Sequence, residues 1–102
     1  MGTKASPSAY DCYANAEPDE PLFVLLARDP LAEYLVAAWA AMRARDVSTA
    51  VRMILDGIVA LGDKPDLPYQ SEKSVEAQQC SKAMREWRLA LDLKRLEEKY
   101  GK

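Results

Sequence analysis

From residue 22 onward the chain alternates dense apolar blocks with short charged or proline-marked breaks, and within most blocks the apolar positions recur at helical spacing. The first block, Leu22 to Leu26, follows Pro21 and is too short for its period to separate helix from strand. Everything after it reads as helix, so a lone strand would lack a partner and a short helix over 21–27 is expected. The block ends at Arg28-Asp29-Pro30, which starts a helix with a clear mechanism. The Asp29 carboxylate accepts from free N–H groups of the first turn, and Pro30 occupies the first helical position, where its missing N–H costs nothing. Leu31, Leu35, Trp39 and Met42 then follow helical spacing, while Ala37, Ala38, Ala40 and Ala41 permit close approach of a neighbour. This second helix is expected over 30–45.

A third helix is expected over 47–61, capped by Asp46 or Ser48. Val47, Val51, Ile54, Ile58 and Leu61 form its stripe, and Gly62 is expected to stop it. Gly57 is a weak point inside it. Asp63 to Gln70 carries two prolines and reads as a loop.

The last helix, expected over 72–100, changes face part-way. Cys80, Met84, Trp87 and Leu91 form one stripe, whose next turns carry Lys94 and Glu98. A second stripe, Leu89, Leu93, Leu96 and Tyr100, takes over on nearly the opposite side. One half therefore packs on its own domain and the other needs separate cover. At about 1.5 Å per residue the helix runs to roughly 39 Å, more than a small bundle requires. Such a stripe commonly meets a copy of itself, so a homo-oligomer with Leu89, Leu93, Leu96 and Tyr100 at its interface is expected. The fold class is all-α: a small helical bundle with a long C-terminal helix.

With 102 residues there is room for one modest core. The expected organisation is a flexible or draped tail over 1–18, in which Tyr10 and Tyr13 are the residues suited to docking, and a single helical domain over 19–102. A formal net charge of −2 offers no broad basic face, so nucleic acid is not indicated as a partner. No apolar run reaches the roughly 20 residues of a membrane span, no secretory leader is read, and the expected location is the cytoplasm. Cys12 and Cys80 match no metal spacing and no disulfide framework.

Catalytic constellations are missing. There is no histidine, no glycine-rich phosphate loop, and no pair of facing acidic sets to hold magnesium. The expectation is a non-enzyme without metal or cofactor, which leaves binding. Arg28, Arg43, Arg45 and Arg52 gather in or near the second helix, with Tyr34 and Trp39 among them. Arginines beside aromatics at a helix N-terminus suit an anionic, ring-bearing ligand, guanidinium for phosphate and indole for stacking. Arg28 and Arg43 would hold phosphate, Trp39 and Tyr34 would stack on the base, and Tyr13 would close the site from the tail. Lys82, Arg85 and Arg88 offer a weaker, nucleic-acid-facing alternative.

Glu20-Pro21, Phe23-Val24-Leu25, Ala27, Asp29, Ala32, Val36 and Trp39-Ala40, followed by Val75-Glu76-Ala77, Ala83-Met84 and Trp87, form a pattern of residue types. Over roughly 19–45 and 72–90 it resembles a group of small accessory proteins of tailed bacteriophages and prophages. The resemblance implies a bacterial host and a protein that acts by occupying something. Two readings follow: a counter-defence protein that sequesters a cyclic or ADP-ribose-derived signalling nucleotide without chemistry, or a protein-binding inhibitor of a host defence complex or structural accessory.

Overall fold

A computed structural model describes residues 2–101 of the chain. It is mostly helical, with no strand among the described residues. The helices are α1 (Cys12–Asn15), α2 (Ala32–Arg43), α3 (Val47–Gly62) and α4 (Ser71–Tyr100). They fall in two compact units. One is Val24–Tyr69; the other combines the described parts of Met1–Phe23 and Gln70–Lys102.

In the first unit α2 and α3 form an antiparallel hairpin. The expected start is corrected: Asp29 is not the N-cap and Pro30 is not the first helical residue, since both stand in a turn, Leu31 is the N-cap without a side-chain cap bond, and regular helix begins at Ala32. Asp29 instead closes that entry turn, its carboxylate accepting from the Leu31 N–H at 2.9 Å and its carbonyl from the Ala32 N–H at 3.1 Å.

The reversal between the helices takes three residues. The Asp46 N–H reaches back to the Ala41 carbonyl at 2.9 Å and the Arg45 N–H to that of Met42 at 3.1 Å. These two bonds are those of a Schellman motif, whose penultimate residue must be left-handed. Arg45 takes that position, with φ of 61°. Asp46 then caps α3, accepting from the Thr49 N–H at 3.1 Å and from the Ser48 hydroxyl at 3.3 Å. One residue closes one helix and opens the next.

The seam between α2 and α3 is made of small residues. Ala38, Ala41 and Ala50 are buried, and Gly57 meets the Cβ of Tyr34. Alanines keep the axes close. Most of the larger aliphatic side chains of both helices flank the seam instead and are exposed.

In the second unit α4 carries the two stripes that its sequence separates. Cys80, Met84, Trp87 and Leu91 are half-buried, and the Cys80 thiol donates to the Leu22 carbonyl at 3.4 Å. Leu89, Leu93, Leu96 and Tyr100 are exposed. Of the N-terminal segment, residues 2–8 form a turn closed by hydrogen bonds between Thr3 and Ser6, and Asp11 caps the single turn of α1.

Two further local expectations are corrected. Residues 21–26 form no helix: they run without regular structure into a turn at 27–30. Pro21 supplies no N–H and favours extended backbone in the residue before it, and five successive large apolar residues leave no polar face for an amphipathic turn. Gly62 does not stop α3 by a left-handed turn. It is the last helical residue, with Asp63 as C-cap, and positive φ among the glycines is found at Gly2.

Candidate functional site

Of the residues suited to an anionic ligand, Trp39 and Arg43 are brought together. They stand four apart on α2, so they share a face, and the Arg43 guanidinium carbon lies 5.9 Å from the Trp39 ring centroid. Both are open to solvent, Trp39 at 55% exposure.

Tyr34 is not with them. Five residues separate it from Trp39, about 140° around a helix of 3.6 residues per turn. It turns toward α3, half-buried against Gly57. Arg28 is exposed in the turn before α2 and makes no ion pair within 4.0 Å among the described residues. Of the N–H groups beside it, that of Leu31 goes to the Asp29 carboxylate and that of Ala32 to the Asp29 carbonyl, so a phosphate there would compete with a carboxylate already seated. Tyr13 is exposed on α1, in the other unit.

Two open depressions lie on the hairpin. One, about 290 Å³, is lined by Tyr34, Asp56, Val59, Ala60 and Asp63. Its two carboxylates and absence of any lining cation make it unfavourable for an anion. The other, about 140 Å³, is an apolar groove lined by Leu31, Tyr34, Leu35, Ile54, Gly57, Ile58 and Leu61. Both are shallow, and neither is cationic.

On α4, Leu89, Leu93, Leu96 and Tyr100 are 49%, 62%, 52% and 72% exposed, the spacing and exposure of a helix that enters an apolar groove. The Lys99 ammonium stands 5.2 Å from the Tyr100 ring centroid. Of the basic residues earlier on the helix, Lys82 pairs with Glu86 at 4.0 Å, both exposed, while Arg85 and Arg88 face solvent.

Among the described residues no group of three or more metal-ligating side chains converges, and no helix is long and apolar enough to cross a membrane. Asp46 is the carboxyl held below the ordinary aspartate range. Hydrogen bonds from Thr49, side chain and then backbone, lower it most; Ser48 and the nearby Arg52 charge add to this. That is a helix cap and carries no sign of acid–base chemistry.

What the residue pattern did not disclose is the openness of the hairpin. Val47, Val51, Ile54 and Ile58 are exposed by 74%, 53%, 40% and 59%. The available signal was arithmetic: two short helices joined by three residues have one mutual seam, and alanines fill it. No family model matches the chain, and no curated protein or solved structure matches it.

Proposed function

We propose that this protein acts by binding another protein, without chemistry, through the exposed apolar stripe of α4. The observation that carries this reading is the hand-over along that helix: Trp87 and Leu91 are half-buried, whereas Leu89, Leu93, Leu96 and Tyr100 are not. Four large apolar side chains at i, i+4, i+7 and i+11 form one continuous edge, the anchor pattern of a helix laid in a groove. Flanking charges of both signs, among them Asp92, Glu97 and Lys99, keep the edge narrow and give a polar rim. In a small accessory protein of phage type, the kind this sequence resembles, the partner is a host defence protein or a virion component.

Sequestration of a signalling nucleotide is the second reading, and the Arg43–Trp39 pair favours it. That pair offers one stacking surface and one cation. The hairpin depressions add an acidic lining and an apolar one, so protein binding accounts for more of the surface.

The test places a photo-crosslinking amino acid at position 93, and in parallel at position 72, in bacterial cells producing the protein. A discrete adduct from position 93 that disappears with Leu89→Glu and Leu96→Glu, and is missing from position 72, supports the reading. No adduct from position 93, together with heat on titration with cyclic dinucleotides or cyclic ADP-ribose isomers that Trp39→Ala abolishes, replaces it with the nucleotide reading.

A further inference from the structure

Leu89, Leu93, Leu96 and Tyr100 on α4 follow the 4,3,4 spacing of a two-helix seam. Continued toward the helix N-terminus, the same seam passes through Glu86 and Lys82, which are exposed and pair with each other at 4.0 Å. Its apolar part therefore begins at Leu89 and closes at Tyr100, where regular helix ends. The N-terminal segment does not cover it: the Leu22 carbonyl accepts from Cys80, on the other stripe, and the four seam residues stay exposed.

The charges that border this seam fit a second copy of it in one direction. In a parallel pair each seam residue faces its own copy, so the layers next to Leu89 set Glu86 against Glu86 and Lys82 against Lys82. On the borders a parallel pair also brings Asp92 of each copy beside Glu97 of the other, acid against acid at both junctions. An antiparallel pair removes these conflicts. One antiparallel register faces every apolar seam residue with another, Leu93 on Leu96 and Leu89 on Tyr100, and leaves Glu86 and Lys82 past the end of the opposite helix.

In that register the border residues meet across the two-fold axis. Asp92 and Lys99 each stand one position before a seam residue, Leu93 and Tyr100, on the same side of the stripe. Asp92 of each copy falls beside Lys99 of the other, and symmetry makes the two junctions equivalent. Among the described residues neither forms an ion pair within its own chain; the Lys99 ammonium lies over the Tyr100 ring. The other border sets Ala90 against Glu97, with no like charges opposed.

We infer that the free protein is an antiparallel homodimer joined through residues 89–100 of α4, so that a second copy and the partner protein compete for one stripe. The inference rests on the reading of that stripe as a protein-binding surface and names its occupant when no other protein is bound.

The full-length chain is examined by sedimentation equilibrium from about 1 to 200 µM, with far-UV circular dichroism on every variant. Wild type is expected at twice the chain mass, and Leu93→Glu at the chain mass with helix content retained. Asp92→Lys and Lys99→Glu, both at exposed positions, are each expected to weaken association about tenfold, because each sets like charges at both junctions. Mixed in equal amounts, these two variants should associate with one another as tightly as wild type does with itself, since both junctions regain opposite charges. A monomeric wild type at 200 µM overturns the dimer, and so does a dimer that survives Leu93→Glu. Stronger association of Asp92→Lys would mean a parallel pair, in which that side chain meets Glu97, and overturns the antiparallel arrangement. The two claims on the stripe separate by the adduct from position 93. A host protein crosslinked there by a chain that sediments as a monomer leaves the protein-binding reading and removes the dimer; an adduct of twice the chain mass alone does the reverse.

Discussion

Tyr34 and Gly57 meet across the hairpin so closely that a Cβ at position 57 would stand 3.0 Å from the Cβ of Tyr34. The neighbour in question is the first side-chain carbon, fixed to the α2 backbone, so relief requires movement of the helix and not merely of a rotamer. This contact sets the separation of α2 and α3.

Gly57→Ala should therefore destabilise. A mid-helix Gly-to-Ala change ordinarily gains up to about 1 kcal/mol, but overpacking a close seam costs about 1–3 kcal/mol, and here the second effect wins by about 1 kcal/mol. Gly62→Ala is the internal control: nothing lies within 4 Å of its added Cβ and its φ is not positive. It should gain about 0.5 kcal/mol. Urea unfolding of the two variants should move the midpoint in opposite directions.

Arg45 holds a left-handed backbone with φ of 61° at the position where glycine is usual. A side chain there costs about 1–2 kcal/mol, partly offset by the extra freedom that glycine gives the unfolded chain. Arg45→Gly should thus raise stability by about 0.5–1 kcal/mol, and the β-branched Arg45→Val should lower it. Thermal melts at one pH resolve both.

The Asp46 carboxyl is lowered in the folded state by the hydrogen bonds of its cap. A group depressed on folding binds its proton more readily when unfolded, so it stabilises above the ordinary value of 3.8 and loses that contribution as the pH falls through its lower native value. Full exposure keeps the effect small. Asp46→Asn keeps an acceptor for Thr49 but cannot titrate, so its melting temperature should fall less steeply than that of wild type below about pH 4. Equal slopes would show that the cap does not sense pH.

Asp29 was legible as a break before α2 but not as its cap, because its carboxylate closes a turn on Leu31, before regular helix has begun. The cap at Asp46 was the most legible part of the sequence because it is decided within three residues: its carboxylate accepts from the Thr49 N–H, and no tertiary contact is needed to place it. The two stripes of α4 were legible for the same reason, since helical spacing alone sorts Cys80, Met84, Trp87 and Leu91 from Leu89, Leu93 and Leu96. The block at 21–27 was not legible. Its apolar run satisfied no period, and the preference for a helix rested on the lack of a strand partner, which an irregular segment avoids equally well. The candidate ligand site was legible only within one turn of helix. Trp39 and Arg43 meet because they are four apart; Tyr34, five from Trp39, is carried to the opposite side, where Gly57 receives it. Whether a stripe ends inside a domain or on its surface depends on how many helices arrive to cover it, and Ile54 or Ile58 carries no local mark of that number.

The exposed Trp39 should matter little to the fold. With 55% of its surface in water and a cation over its ring worth about 0.5–1 kcal/mol at such sites, Trp39→Ala should cost no more than about 1.5 kcal/mol of stability. A much larger loss on chemical denaturation would mean that the indole is packed in the native protein.

Native mass spectrometry of the full chain, purified under mild conditions from cells that make defence nucleotides, bears most directly on the claim that this protein works through apolar helix faces. The account predicts an assembly of the chain with a second protein, without a bound small molecule. A monomer carrying one stoichiometric anionic adduct, lost on Trp39→Ala, would contradict it.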